Sequence, residues 1–210
     1  GCAAAALELI ENPHAELAPF SWNRIVERHG HLAAIREAML VLDDLPSATR
    51  AALVAKLSET LAQFVVARNW LSADRADRIT VEARDRSTIN IAARSRGEDM
   101  QGLVHHLRVT GQLTAGLILC ALLSSNLDLF DAALAELADL PLARVSALLH
   151  DRGGNSLQAL LRRAGLPEAT FAAFQVALDA CHEQGFVDSD DGAVRLRRRM
   201  VERVLTPDGA

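Results

Sequence analysis

The stretch LTAGLILCALLSSNLDLFDAALAELA (residues 113–138) decides the fold class of this chain. It contains the longest apolar run of the sequence, from Leu117 to Leu123. A membrane-spanning helix needs roughly 20 such residues, so we interpret this run as a buried central helix and predict no membrane span. Farther on, Phe130, Leu134 and Leu137 recur at spacings that are typical of one apolar face of an α-helix.

The same periodicity continues on both sides of this stretch. Residues 47–68 carry an apolar face opposite polar side chains such as Lys56 and Glu59. Ser72 is expected to cap a further helix that runs to Ala93. We expect the following side chains to be buried: Leu53, Leu57, Leu61, Leu119, Leu122, Phe130, Leu134, Leu137, Phe171, Phe174 and Leu178.

Proline marks the predicted corners between helices. Leu45-Pro46, Leu140-Pro141 and Leu166-Pro167 each follow a helical stretch and open another, and Asn12-Pro13 places a capping residue before a first-turn proline. Aromatic residues make up only 4% of the chain, which disfavours an all-β fold because strands rely on aromatic and β-branched side chains. The sequence therefore predicts an all-α fold with more than about 60% helix, in roughly nine to twelve short helices.

These helices are expected to form a multi-helix bundle or a short HEAT-like array of helical pairs. A shift of about 41 residues superposes Leu119 on Leu160 and Phe130 on Phe171. A period near 40 residues is typical of HEAT-like pairs, so the shift indicates an internal repeat, unless the matches are chance in a chain rich in alanine and leucine.

The polar segment 93–99 is the best candidate boundary within the chain. It predicts an N-terminal helical layer (residues 1–96) and a C-terminal helical layer (residues 97–210), unless the two form one continuous domain. Residues 185–194 are the sole candidate for extended structure, and we interpret them as a loop before a last helix over residues 194–205.

The overall charge argues against a dedicated nucleic-acid binder, because the net charge is −5 and the pI is about 5.8. These values are ordinary for a cytoplasmic protein. Three widely spaced cysteines, Cys2, Cys120 and Cys181, disfavour a disulfide framework and fit a reducing compartment. We therefore predict a cytoplasmic protein for which nucleic acid is an unlikely partner.

Two positively charged regions nevertheless offer alternatives. Residues 193–210 hold five arginines against two acids, and Arg197 and Arg198 of this tail are candidates for contact with a partner. Residues 142–166 can be interpreted as a helix–turn–helix with Gly153-Gly154 in the turn, although that turn is longer than usual. A DNA-binding regulator that uses residues 142–166 is therefore one alternative function.

The usual catalytic motifs are absent from the sequence. It has no phosphate-binding GxxxxGK[ST] loop, no GxGxxG turn and no HExxH metal motif. His29-Gly30-His31 is interpreted as a helix end with exposed imidazoles. We accordingly predict no catalytic residues, no metal site and no cofactor, and we expect that the protein is not an enzyme.

One histidine pair gives a second alternative. The segment His105-His106-Leu107-Arg108 resembles the histidine phosphotransfer motif His-x-Leu-Lys-Gly, in which an exposed imidazole on a helical bundle carries a phosphoryl group. Val109 stands where the motif has glycine, and Arg108 stands where it has lysine. A divergent histidine phosphotransfer protein that uses His105 or His106 is therefore the other alternative.

The function favoured by these observations is a non-catalytic protein–protein interaction or regulatory module with an unknown protein partner, or with itself as a homodimer. Trp70 and Trp22 each follow polar residues near predicted helix corners, and tryptophan is enriched in binding hot spots. If they bind a partner, at least one should be exposed beside other apolar side chains. The alternative is that both fill gaps between helices. The apolar segment 3–10 is a second candidate surface.

Part of the chain also resembles a known family. The segments that carry the resemblance are residues 113–123, 128–138, 140–145, 148–151 and 160–167, followed by Phe171 and Phe174. They resemble the bacterial family catalogued as domain of unknown function 2336, found mainly in alphaproteobacteria. The resemblance implies an all-helical protein of the bacterial cytoplasm. It implies no activity and assigns no functional residues.

Overall fold

The computed structural model describes residues 2–150 and 154–184, and these residues contain eleven α-helices and no strand. The predicted all-α fold is confirmed, and the described helices exceed the predicted helical share of about 60%. The helices are α1 (Ala3–Glu11), α2 (Pro19–His29), α3 (Ala33–Leu40), α4 (Ser47–Ala67), α5 (Ala73–Ala92), α6 (Gly97–Val109), α7 (Ala115–Leu123), α8 (Leu127–Ala138), α9 (Leu142–His150), α10 (Gly154–Arg163) and α11 (Phe171–Gln184), with a single 3₁₀ turn at Glu168–Thr170.

The chain divides into two compact units, Gly1–Leu103 and Val104–Ala210, and the division falls within α6. The division predicted between residues 96 and 97 stays a prediction. No described helix is long and apolar enough to cross a membrane.

An apolar cluster in the first unit is formed by α1 to α4 and the segment before α4. The buried side chains of this cluster are Ile10, Ile25, Val26, Ile35, Met39, Leu45 and Leu53. The end of α2 lies close to α4, because a Cβ atom added to Gly30 would lie 3.3 Å from Lys56 Cγ. The first half of α4 therefore has α2 beside it and contributes Leu53 to the core.

Helices α4 and α5 form the most extensive helix–helix contact among the described residues. They have 21 and 20 residues, and a short corner over residues 68–72 joins them into an antiparallel hairpin. Lys56 and Glu59 form an ion pair on α4 at 3.0 Å, as the predicted polar face allows.

A partly buried polar cluster connects the start of α4 to the start of α6. Pro46 occupies the cap position of α4 and has no side-chain oxygen to accept from the first helical amides. Asp99 replaces that cap: its Oδ1 accepts from the Ser47 backbone N–H at 2.9 Å, and its Oδ2 accepts from the Ser47 hydroxyl. The Ser47 hydroxyl also lies within hydrogen-bonding distance of the Ser95 hydroxyl.

The described part of the second unit is built on α7 and α8, which lie within the stretch of residues 113–138 quoted above. Side-chain oxygens cap both helices, since Thr114 accepts from the Leu117 N–H and Asn126 accepts from the Leu129 N–H, each at 3.2 Å. Helix α10 packs on α8, and α11 packs on α7. The core of this unit includes Leu117, Ile118, Leu122, Phe130, Leu134 and Phe174.

Most of the predicted core is confirmed, with one clear exception. Leu61 was expected to be buried, but 54% of it is exposed. The main neighbour of α4 is α5, and Leu61 lies on a face of the second half of α4 that stays open to solvent. Leu57, Leu119 and Leu137 are only half-buried.

The predicted cap at Asn12-Pro13 is wrong. Asn12 ends α1, and its side-chain oxygen accepts from the His14 backbone N–H at 3.0 Å, which forms a local turn instead of opening a helix. Helix α2 begins at Pro19, where proline does occupy the first turn. Ser72 precedes α5 as predicted, but its side chain makes no capping hydrogen bond.

Some predictions fall on residues that the structure does not describe. Residues 185–194, the last helix over residues 194–205, and Arg197 and Arg198 lie outside the described residues. The same is true of Gly153 in the predicted DNA-binding turn.

The two ends of the leucine face of α4 should respond differently to truncation. Leu53 is 1% exposed and Leu61 is 54% exposed, so we expect Leu53→Ala to lower the free energy of unfolding by about 2–5 kcal/mol, because it leaves a cavity in the core. Leu61→Ala should change it by less than about 1 kcal/mol. Urea unfolding followed by circular dichroism measures both values, and equal losses would contradict the described packing.

The Asp99 contact should also contribute measurably to stability. Asp99→Ala leaves the buried Ser47 hydroxyl and the first amide of α4 without this partner, and we expect a loss of about 1–2 kcal/mol. Glu82→Ala, which removes an exposed carboxylate from α5, is the matched control and should change little. A null effect of Asp99→Ala in the same urea titration would show that water replaces the carboxylate at no cost.

Candidate functional site

An apolar stripe runs along the second half of α4 and ends at the corner before α5. Leu57, Leu61 and Phe64 are spaced by four and three residues and therefore share one face of the helix. The stripe passes from half-buried at Leu57 to exposed at Leu61, Phe64 and Trp70. We call Leu57, Leu61, Phe64 and Trp70 the hairpin stripe.

The corner itself holds Trp70 in a defined position. Asn69 adopts the left-handed conformation (φ 56°), which asparagine tolerates better than most residues. The Trp70 N–H then donates to Val65 O at 3.0 Å, and the Asn69 N–H donates to Val66 O at 2.9 Å. This pair of bonds is the Schellman arrangement that closes many helix ends, so the backbone at Trp70 is fixed by the end of α4.

The Trp70 ring packs against Phe64 and stays open to solvent on its other side. The two ring centroids are 5.6 Å apart at an interplanar angle of 87°, an edge-to-face geometry that aromatic pairs prefer. The Arg68 guanidinium carbon lies 5.2 Å from the Phe64 centroid. Trp70 nevertheless remains 65% exposed. A tryptophan that binds a partner is expected to be exposed in this way beside other apolar side chains.

Helix α5 adds further exposed apolar side chains, Ile79 and Val81. They are two residues apart on a helix and point in directions about 160° apart, so at most one of them extends the face of the hairpin stripe. The exposed charges of α5 are three acids and three bases, namely Asp74, Asp77, Glu82, Arg75, Arg78 and Arg86.

Trp22 differs from Trp70. It is half-buried and packs against the core of the first unit, as expected of a residue that fills a gap between helices. The N-terminal segment 3–10 lies in α1, which packs against α3. Ile10 of this segment is buried, whereas Leu9 is exposed.

In the second unit, the histidine pair has one exposed member and one half-buried member. The exposed His105 places Nδ1 3.0 Å from Glu136 Oε1. Arg108, three residues later on the same face of α6, donates to Glu136 O at 2.7 Å and lies 3.3 Å from Oε1. His106 Nε2 has no hydrogen-bond partner; burial, and then the neighbouring His105, lower the pKa of His106.

The other histidines and the cysteines form no cluster among the described residues, and no group of three or more potential metal ligands occurs there. Gly30 caps the end of α2 as the sequence predicted; of the two imidazoles expected to be exposed beside it, His31 is exposed and His29 is half-buried. None of the three cysteines forms a disulfide. Burial raises the pKa of Cys181 to about 11, and its thiol points to Leu122 O at 3.8 Å.

The arginines of α10 are engaged within the chain. Arg163 Nε donates to Ala138 O at 2.7 Å, and Arg162 Nε donates to Glu168 Oε1 at 3.2 Å. A cleft of about 410 Å³ between α9 and α10 is lined by Arg144, Arg163 and mainly apolar side chains. The Glu168 carboxylate offsets the charge of Arg162, which lowers the net positive charge that this region can present to DNA phosphates.

The sequence predicted Trp70 as a candidate at a helix corner, but it assigned the neighbouring Leu61 to the core and gave no role to Arg68. In the second unit, it gave no role to Glu136. The two polar residues directly before Trp70, Arg68 and Asn69, are the sequence signal for an exposed aromatic side chain at this corner. Nothing in the sequence pairs Glu136 with His105, which lies 31 residues away.

The comparison with protein families agrees with the resemblance. The family described as an uncharacterised protein conserved in bacteria (DUF2336) matches residues 1–209. Neither the comparison with curated proteins nor the comparison with solved structures gives a match. Because the family match extends over nearly the whole chain, well beyond the segments that first suggested it, the chain belongs to this bacterial family, domain of unknown function 2336.

Proposed function

We propose that this chain is a protein-interaction module of the bacterial cytoplasm, regulatory rather than catalytic, which binds its partner through the hairpin stripe. The observation that carries the proposal is the exposed Trp70, which packs edge-to-face against Phe64 and lies in one apolar stripe with the exposed Leu61. Monomeric proteins seldom leave large contiguous apolar patches in water unless the patch has a binding role.

The composition of the stripe also supports binding. Binding hot spots are enriched in tryptophan and arginine, and here both Trp70 and Arg68 contact the Phe64 ring. The Schellman closure at Asn69 fixes the backbone beneath Trp70. A fixed anchor loses less conformational entropy on binding than a mobile one.

The HEAT-like arrangement is part of the same proposal. When α7 and α8 are shifted by about 41 residues, they fall on α10 and on the segment formed by the 3₁₀ turn and α11. Stacked helical pairs of this kind offer extended surfaces for protein partners.

The stripe can be tested by affinity capture of the full chain from its host, with the captured proteins identified by mass spectrometry. We expect Trp70→Ala and Leu61→Ala to lose at least about 90% of a specific partner, since truncating a hot-spot residue costs 2 kcal/mol or more in binding. Leu40→Ala removes an equally large leucine that is 50% exposed in the same unit, and it should keep the partner. Identical partner lists for all three variants would exclude the stripe.

The geometry at His105 favours one second function, histidine phosphotransfer. When Nδ1 of His105 carries the ring proton, it donates to Glu136 and leaves the Nε2 lone pair available. In the transfer step, Nε2 forms an N–P bond to the phosphorus of a phosphorylated donor while the donor's own bond to that phosphorus breaks. The Glu136 carboxylate would stabilise the positive charge on the ring, and Arg108 holds that carboxylate in place.

This second function predicts selective phosphorylation of one of the seven histidines. With phosphoramidate as the phosphoryl donor, we expect His105 to be labelled first and Glu136→Gln to slow the labelling several-fold, as measured by mass spectrometry. His31→Ala, which removes another exposed imidazole, should leave the labelling of His105 unchanged. Equal labelling of all exposed histidines would rule out a dedicated site.

A further inference from the structure

We propose that the occupant of the hairpin stripe is a second copy of this chain, so that two α4–α5 hairpins pack face to face as a four-helix bundle. The inference rests on the proposed function, because it names the partner for the same surface. Three properties of the described residues support a copy of the chain over an unrelated partner.

The first property is the shape of the hairpin. Helices α4 and α5 have 21 and 20 residues, which corresponds to about 30 Å each at 1.5 Å per residue. Helix α2 lies beside the first half of α4, whereas the second half carries the hairpin stripe in the open. A helical pair with one open apolar face reaches a two-layer structure when a similar pair covers it.

The second property is that the stripe can be complementary to itself. A two-fold symmetric interface requires that the same patch serves both copies. With the two-fold axis placed between Leu61 and Phe64, and with the helices antiparallel, Leu61 of each copy lies opposite Phe64 of the other. Trp70, beyond the end of α4, then reaches toward Leu57 of the second copy.

The third property is the charge of α5, which pairs with the helix that carries most of the stripe. The three exposed acids and three exposed bases of α5 give no net charge, and none of them forms an ion pair with another described residue. A strongly acidic or basic partner would meet like charges on this helix. A second copy presents the same neutral set of both signs, so each acid can be paired with a base.

The inference predicts a concentration-dependent dimer of the full chain. In sedimentation velocity, the mass should rise from 22.7 kDa toward twice that value as the concentration increases. Leu61→Glu and Phe64→Glu should each abolish the rise, because they place a carboxylate in the centre of the interface. Leu40→Glu is the matched control and should still dimerise, and circular dichroism should show that all variants keep their helices.

Tryptophan fluorescence gives a second, independent measurement. The chain has two tryptophans, so Trp22→Phe leaves Trp70 as the sole reporter. We expect its emission to shift to shorter wavelength, and its quenching by iodide to fall, over the same concentration range in which the mass doubles. A constant emission spectrum in a sample that does dimerise would place the interface elsewhere and overturn the inference.

The outcomes separate this inference from the proposed function. If the chain stays monomeric at every concentration, or if Leu61→Glu still dimerises, the second copy is excluded as the occupant. If the monomeric chain nevertheless captures a different protein that Trp70→Ala loses, the proposed function stands without the dimer. A dimer that both glutamate variants abolish, with the fluorescence shift at Trp70, supports the inference.

Discussion

The pairing of α4 with α5 is the constraint on which the rest of the first unit depends. Each of these helices is about twice as long as its neighbours α1, α2 and α3, so the small helices cannot cover the whole pair. Leu53 lies in the covered part and joins the core, whereas Leu61 and Phe64 lie beyond it. One continuous apolar face of α4 therefore serves two purposes, core packing at one end and a candidate binding surface at the other.

The Asp99 carboxylate holds the covered end of this pair together. Proline at position 46 starts α4 in the right conformation but provides no cap of its own, and the carboxylate that replaces the cap comes from the first turn of α6. Negative charge at the beginning of a helix is also favoured by the helix dipole. The start of α4 thus depends on a residue that follows the entire hairpin in sequence.

The sequence predicted the helices well because apolar spacing and proline are local signals. Residues 47–68 and the segment from Ser72 were assigned nearly at the bounds of α4 and α5. The error at Leu61 has a physical origin: spacing indicates that a face is apolar but not what lies opposite it. The same limit applies to the candidate sites, because spacing does not show which residues of distant helices come into contact. Trp70 could be identified as a corner residue, whereas the pairing of Glu136 with His105 depends on how α8 packs near α6.

The cap at Ser47 also has a consequence for the order of folding. Ser47 and Asp99 are 52 residues apart in sequence, and closing so long a loop from an open chain is entropically unfavourable. Once the hairpin has formed, Ser47 lies beside the end of α5, and only the short segment after Ala92 remains to be closed. The remaining closure costs about 2 kcal/mol less than closure from the open chain. Asp99 therefore engages after the hairpin, so its loss should speed unfolding, whereas disruption of the Asn69 corner should slow folding.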